Sequence, residues 1–250
     1  MIHQCFYREQ QRSRLFNTEC YQGFGLEPKL NPTLFNNCPE LEIQANRKAL
    51  NEYICFLWFF RNQSALDSHF GTTSFRQLSK SKSVFKDINK LKDNCGTSNI
   101  VTWNLSKNLD SSGYPIPVSL ATEVFHPYLN SYISFVFDRF GYEIPEKWYS
   151  QSECIYANYW YVSKSLFIDF MEYSFPIIKF CLDTFKESDH PYFSSQRELD
   201  QKPNPFSRRI GFLAERLFII WYFSKDLNVV NLGKLHTMKS DKFSFYELGV

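Results

Sequence analysis

The strongest chemical signal in the sequence is a basic segment that runs from Ser74 to Lys92. It holds six lysine and arginine side chains, among them Arg76 and Lys80, against the single acid Asp87. The segment follows a predicted strand, and open α/β sheets bind their ligands at the carboxyl ends of strands. Such a group of cations favours a phosphate site, and a solvated helix surface is the alternative interpretation.

A second candidate is the segment from Arg208 to Leu217, on a predicted late helix. It begins with Arg208 and Arg209, which the positive end of the helix dipole disfavours, so the two arginines require an anion nearby. That anion is either a ligand phosphate or a carboxylate. Glu215, which has apolar neighbours, is a candidate catalytic acid or base, although an ion pair that ties the helix to the sheet is the structural alternative.

Three further residues are single candidates. His126 precedes Pro127 at a predicted loop entry and can act as a general acid or base. Asn158 and Trp160 lie on a predicted strand, where they can bind sugar hydroxyls and stack on a base, although aromatics in such positions are more often core residues.

Several familiar signatures are missing from the sequence. It contains no dinucleotide or phosphate-loop glycine motif, no serine-hydrolase motif and no protein-kinase set. The seven cysteines form no Cys-x-x-Cys pair and the five histidines no His-x-x-x-His pair, so no zinc site is predicted. An odd number of widely spaced cysteines favours reduced thiols in a cytoplasm.

Apolar periodicity predicts three helices that must position these residues. They cover residues 46–62, 163–184 and a segment beginning at Ser207, and Pro176 should kink or split the second. Strands are predicted between them at residues 2–7, 69–75, 99–103, 155–162 and 228–232. This alternation predicts an α/β fold with a Rossmann-like central sheet flanked by helices.

Composition favours one domain over residues 1–250. Hydrophobic residues make up 44% of the chain and the net charge is +2, as in a globular protein. Residues 104–117 and 186–205 read as loops, and the second is a candidate mobile lid. No apolar run approaches the ~20 residues of a membrane span and no leader pattern is visible, so a cytoplasmic location is predicted.

Several segments of the sequence form a recognisable set: Glu52, Trp58 and Asn62, the strand 71–77, Asn158, and the late helix. Together they resemble a family of glycosyltransferase-like proteins from capsular and other surface polysaccharide gene clusters. The family strand reads Gly-x-x-His-Tyr-Arg-Arg or Gly-x-Thr-Ser-Tyr-Arg-Gln, and Ser74 and Gln77 stand where the commoner form has His and Arg. The family helix reads Arg-x-x-Gly-Phe-x-x-Glu-Arg-Leu, and this chain matches it at Arg208, Gly211, Phe212, Glu215, Arg216 and Leu217.

The resemblance implies a nucleotide-sugar-dependent enzyme with a fold like the glycosyltransferase A class. Many enzymes of that fold hold a divalent metal on the donor diphosphate with Asp-x-Asp, and this sequence has no Asp-x-Asp. No metal site is therefore predicted, and fixed cations must stabilise the leaving diphosphate. The candidates are Arg76, Lys80, Arg208 and Arg209.

The remaining roles follow from the same resemblance. For an inverting transfer, Glu215 or His126 would deprotonate the acceptor hydroxyl, and a retaining transfer stays open. Gln77 and Asn158 would orient sugar hydroxyls, and Trp160 would cover the base. The expected acceptor is a glycan or a lipid-linked glycan, with peripheral contact at the cytoplasmic face of the membrane.

Two other classes of function are alternatives. A non-catalytic module of the same ancestry would bind a sugar nucleotide or a partner enzyme, and it would also explain the substituted strand motif. A single-stranded nucleic-acid binder would use the basic segment together with aromatic stacking platforms. The net charge of only +2 disfavours nucleic acid as a partner.

Overall fold

The structure is a computed structural model that describes residues 1–32, 50–74, 76–77, 85–184, 188–194 and 206–239, with the backbone alone at 194 and 206–208. The strands are β1 Ile2–Phe6, β2 Tyr21–Gly25, β3 His69–Ser74, β4 Asn99–Thr102, β5 Leu105–Leu109, β6 Glu153–Ile155, β7 Trp160–Ser163, β8 Asn228–Asn231 and β9 His236–Lys239. The α-helices are α1 Tyr53–Arg61, α2 Ile88–Cys95, α3 Val118–Phe125, α4 Leu129–Phe140, α5 Lys147–Ser150, α6 Lys164–Thr184, α7 Pro191–Ser194 and α8 Phe206–Ser224.

The main sheet has six strands in the order β2-β1-β3-β7-β4-β8. Strands β2, β1, β3, β4 and β8 all run in one direction, and β7 runs against its neighbours β3 and β4. The carboxyl ends of five strands therefore meet at one edge, together with the start of β7. Open α/β sheets bind ligands at this edge.

Helices cover both faces of the main sheet, and successive side chains of β7 alternate between these two faces. Trp160 and Val162 belong to the larger core cluster, which α1, α6 and α8 build on one face. Tyr161 points to the other face and packs in a second cluster with Leu91 and Cys95 of α2. Because successive strand residues face opposite sides, a strand without polar positions indicates burial on both faces. The predicted α/β fold with a central sheet flanked by helices is confirmed.

A glycine in β3 allows close packing of the neighbouring strand. A Cβ atom placed on Gly71 would lie 2.5 Å from Cδ2 of Tyr161. Gly71 pairs with Tyr161 across the antiparallel β3–β7 ladder, and the Tyr161 ring also stacks on His69. The tyrosine ring thus lies over the glycine, which explains why a residue without a side chain occupies this strand position.

The second sheet has three strands in the order β6-β5-β9, and it corrects the prediction of a loop over residues 104–117. Strand β5 lies inside that segment, with Ser106 and Asn108 buried and Leu105, Lys107 and Leu109 partly exposed. The sequence pattern missed this strand because its inward positions are polar.

Two other predicted elements differ from the structure. The predicted strand 155–162 is two short strands, β6 and β7, separated by residues that include Ala157 at a positive φ of 57°. Helix α6 continues through Pro176, so the proline does not split it. None of the helices in the described ranges is long and apolar enough to cross a membrane.

The candidate lid at 186–205 is described only in part. Residues 186–187 and 195–205 lie outside the described ranges. Within 188–194, Tyr192 and Phe193 of α7 are buried, and the Tyr192 ring stacks on Tyr132 of α4 at 5.4 Å between centroids. That portion of the segment is packed against the core. A single domain over 1–250 stays a prediction.

Candidate functional site

Polar residues from three strands gather at the carboxyl edge of the main sheet. Tyr7 and Arg8 directly follow β1, Ser74 ends β3, and Asn158 and Tyr159 directly precede β7. These strands are neighbours in the order β1-β3-β7. The backbone topology therefore brings the five residues to one edge.

Two hydrogen bonds fix the turn that carries Arg76. The hydroxyls of Ser74 and Tyr159 lie 2.6 Å apart and share a hydrogen bond, and both residues are buried. The backbone N–H of Arg76 donates to the Ser74 Oγ atom at 3.2 Å. Ser74 thus links the turn after β3 to the start of β7, and the Arg76 residue itself is exposed at this edge.

Three charged residues from separate segments act electrostatically on Tyr7 and Tyr159. Burial is the main cause that raises the pKa of each phenol, and the charges of Glu52 and Glu215 raise it further while Arg76 lowers it. Arg76 in the turn after β3 and Glu215 of α8 are therefore both within electrostatic range of the two phenols.

Glu215 belongs to a largely buried ion pair, and other residues contact the arginine of that pair. Its Oε2 accepts a hydrogen bond from the Arg216 guanidinium at 3.2 Å, and the two side chains are 19% and 4% exposed. The Nε atom of Arg216 donates to the Thr122 hydroxyl at 3.1 Å, and its guanidinium lies 4.8 Å from the centre of the Tyr156 ring. The pair fixes the Glu215 carboxylate and compensates its charge.

His126 lies beside the same ion pair as a neutral imidazole. Its ring stacks on Phe212 with centroids 4.0 Å apart. Burial, followed by the charges of Arg216 and Arg209, lowers the pKa of His126 to about 3. An imidazole with so low a pKa is a weak general base near neutral pH. The catalytic roles of His126 and Glu215 stay predictions.

Arg209 lies on the His126 side of the ion pair. The residue is 6% exposed, and its guanidinium lies 4.6 Å from the centre of the Tyr192 ring. The Tyr192 hydroxyl donates to the Arg209 carbonyl oxygen at 2.9 Å. The side chain of Arg208 and the whole of Lys80 lie outside the described residues, so their predicted phosphate roles stay predictions.

Two predicted ligand-binding residues are core residues in the structure. Gln77 is fully buried, and its Nε2 donates to the Tyr21 hydroxyl at 2.9 Å. Trp160 is fully buried, and its ring stacks on Phe218 at 4.4 Å between centroids. Neither side chain reaches a surface where a sugar or base can contact it. Both side chains are buried, and burial cannot be read from the type of a residue. Gln77 and Trp160 are therefore not part of the proposed site.

Asn158 differs from these two because of its position at the carboxyl edge. The residue is 5% exposed and lies next to Tyr159, on the same side as the Arg76 turn. Its role in binding a sugar hydroxyl stays a prediction.

The sequence reasoning missed a basic cavity beside Tyr7. This cavity of about 740 Å³ is lined by Arg8, Arg14 and Lys29, together with the acids Glu9 and Glu27. Its residues come from the segments that follow β1 and β2. The charge is spread over two short loops, so no dense basic run marks it. Its one sequence signal is the position of Arg8 directly after a predicted strand.

Metal ligands are not grouped in the part of the chain that the structure describes. Within those ranges no three His, Cys, Asp or Glu side chains lie together as a metal ion would require. Near the carboxyl edge lie the cationic side chains of Arg8, Arg14, Lys29 and Arg76.

The comparisons with known proteins find a likeness in fold. No family model matches the chain, and no curated protein matches it in sequence. The solved apo structure of WbbM, a bifunctional glycosyltransferase, is similar to it with a TM-score of 0.50 and 16% sequence identity. The likeness covers 96% of this chain and 45% of that chain, so this chain spans less than half the length of WbbM. Over nearly its whole length, the chain has a fold similar to part of a glycosyltransferase.

Proposed function

We propose that the protein is a glycosyltransferase that transfers a sugar from a nucleotide-sugar donor to a glycan or lipid-linked acceptor in surface polysaccharide synthesis. The observation that carries the proposal is that Arg76 and Glu215, from different segments, both act electrostatically on Tyr7 and Tyr159, with the Arg76 turn tied to Tyr159 through Ser74. A cation for a leaving group and a carboxylate for a nucleophile are the two charges that such a transfer needs. The fold similarity to a glycosyltransferase supports the same reaction class.

The donor binds along the carboxyl edge in this proposal. The cavity lined by Arg8, Arg14 and Lys29 has a volume of about 740 Å³, within the range of small-molecule sites, and takes the anionic nucleotide. Arg76 contacts the diphosphate, with Arg208 as a further candidate. The amide of Asn158 binds a hydroxyl of the transferred sugar.

Glu215 is the general base. Its carboxylate removes the proton from the acceptor hydroxyl while that oxygen forms a bond to the anomeric carbon of the donor. The bond from the anomeric carbon to the diphosphate breaks, and the diphosphate leaves with the electron pair. Fixed arginine side chains stabilise the charge that develops on it. Arg216 holds Glu215 in position.

A panel of nucleotide sugars tests the proposal. We expect at least one donor to raise the melting temperature, because a ligand that binds only the folded state stabilises it. Arg76→Ala should abolish this shift, and Lys90→Ala, which removes an exposed cation on α2, should keep it. The same shift in EDTA and in excess magnesium or manganese would support a donor site built from side-chain cations.

Mass detection of transferred or hydrolysed sugar separates an enzyme from a binding module. Glu215→Gln should retain the donor-induced shift and lose turnover. A donor that binds without any turnover in the unmodified protein would favour the non-catalytic module. If no donor shifts the melting temperature, or if Arg76→Ala and Lys90→Ala respond alike, the proposed donor site is wrong.

A further inference from the structure

A second cavity lies away from the carboxyl edge, near the amino ends of β1 and β3. Its volume is about 410 Å³, within the range of small-molecule sites. His3 of β1, Phe24 of β2, and Trp58 and Phe59 of α1 line it. None of these four residues belongs to the proposed transfer site.

The inner wall of this cavity is aromatic and tightly packed. The ring centroids of His3 and Phe59 lie 4.2 Å apart, and those of Trp58 and Phe59 lie 4.7 Å apart with perpendicular planes. Phe24 meets the Trp58 ring edge-to-face at 6.1 Å. Packing of this kind locks the side chains, so the wall is a preformed apolar surface.

Two polar atoms in the aromatic wall have no partner. His3 is 5% exposed, and neither its Nδ1 atom nor the Nε1 atom of Trp58 has a hydrogen-bond partner among the described residues. Burial lowers the pKa of His3 to about 3, so its ring is neutral and offers one donor and one acceptor. Both atoms are sealed from solvent, so a hydrogen bond from a ligand to His3 must use its other ring nitrogen, Nε2.

The rim of the cavity carries polar groups and little positive charge. Gln22, Asn31 and Asp67 contribute amide and carboxylate groups. No lysine or arginine side chain is among the described residues that line it, whereas three such side chains line the cavity beside Tyr7. The amino-terminal ammonium of Met1, which also lines the cavity, lies 4.0 Å from the Asp67 carboxylate. The two charges compensate each other, so the rim has no excess positive charge for an anionic ligand.

We propose that this cavity is a second carbohydrate site that binds one neutral sugar ring of a glycan. A pyranose has an apolar C–H face for the aromatic wall, and its hydroxyls both donate and accept hydrogen bonds. These hydroxyls pair with His3, Gln22 and Asp67. The site goes beyond the transfer reaction, because it holds a sugar at a place that contains none of the groups proposed to act on the donor.

Saturation-transfer NMR with simple methyl glycosides tests the inference. Methyl glycosides of glucose, galactose, mannose and N-acetylglucosamine are each titrated without any nucleotide, and at least one should receive saturation, mainly at the protons of one ring face. Asp67→Asn should weaken its binding about two- to tenfold, as the loss of one hydrogen bond to a charged or polar group does. Asp93→Asn, which changes an exposed acid on α2, should leave it unchanged.

Two further variants locate the bound sugar. Trp58→Leu removes an aromatic wall residue and should abolish the signal, with the melting temperature reporting whether the variant is folded. Arg76→Ala should leave glycoside binding unchanged, and loss of the signal in this variant would place the glycoside in the transfer site and overturn the inference. Equal affinity in Asp67→Asn and Asp93→Asn, or no saturation of any glycoside, also overturns it.

The inference and the proposed function fail separately. If the nucleotide-sugar panel fails while glycosides bind through Asp67, the transfer function is wrong and the carbohydrate site stands. If donors bind through Arg76 and no glycoside receives saturation, the transfer function stands and the second site is wrong.

Discussion

Replacement of Arg216 by methionine should destabilise the protein far more than removal of an exposed cation. Methionine keeps the length and the apolar character of the arginine stem and removes the guanidinium. The change would leave the Glu215 carboxylate, which is 19% exposed, without the partner that now lies 3.2 Å away. It would also remove the Nε–H group that donates a hydrogen bond to the Thr122 hydroxyl.

The size of the effect follows from burial and distance. Two unit charges 3.2 Å apart attract each other by about 5 kcal/mol at an effective dielectric constant of about 20. Desolvation of the two ions opposes this attraction, so the net coupling should be about 1–3 kcal/mol. Breaking a buried pair by removing one partner costs more, about 3–5 kcal/mol, because the other charge stays buried.

A double-mutant cycle measures the coupling. Urea unfolding followed by tryptophan fluorescence gives the free energy of unfolding of the unmodified protein, Arg216→Met, Glu215→Gln and the double variant, and the double variant should lose less stability than the sum of the singles. The control is the pair Lys179 and Asp183 on α6, whose side chains are 62% and 61% exposed. Exposed helix pairs couple by only about 0.3–0.5 kcal/mol. A coupling at Arg216 no larger than that of the control would refute the buried ion pair.

Three other variants have specific expected outcomes. Tyr159→Phe removes the hydroxyl that shares a hydrogen bond with Ser74 at 2.6 Å, so it should lower the free energy of unfolding by about 0.5–1.5 kcal/mol. It should also weaken donor binding through Arg76, and thermal shift without and with the donor measures both effects. Gly71→Ala should cost about 1–3 kcal/mol by urea unfolding, since its Cβ would lie 2.5 Å from the Tyr161 ring, and an unchanged midpoint would contradict that packing. His126 has a folded-state pKa of about 3 against 6.5 unfolded, so the unfolded chain binds the proton first and stability falls as pH falls below 6.5. His126→Phe should therefore recover about 2 kcal/mol of the loss between pH 6.5 and 5, measured by unfolding at both pH values.

The central strands were predictable from the sequence because they are rich in β-branched and aromatic residues, which favour strands. Strand β4, Asn99–Thr102, and strand β3, His69–Ser74, are nearly continuous buried runs. Strand β2 was missed because Tyr21–Gly25 contains a glutamine and two glycines, and its middle residues are exposed. Its strand conformation comes from pairing with β1, which is a long-range contact.

The candidate site was predictable only where the chain concentrates its charge. Arg76 stands at a strand end and Glu215 in a helix motif, and both positions are visible in the sequence. The roles of Gln77 and Trp160 were not predictable, because the direction of a side chain depends on packing partners far along the chain, Tyr21 and Phe218. The basic cavity was not predictable for the same reason, because the positions of β2 and of the loop that follows it depend on pairing with β1.

The separation of charge between the two cavities argues for two different ligands. The cavity beside Tyr7 has three basic side chains against the two acids Glu9 and Glu27, and Lys29 is paired with Glu27. It adjoins the carboxyl edge, where Arg76 adds a further cation, so the excess charge there is positive and suits a nucleotide diphosphate. The cavity around Trp58 has an aromatic wall and polar groups at its rim, and it suits an uncharged sugar. A nucleotide-sugar donor would gain little binding energy at the second site, and a neutral glycan would gain little from the cations of the first. Each site would therefore disfavour the ligand of the other as well as bind its own.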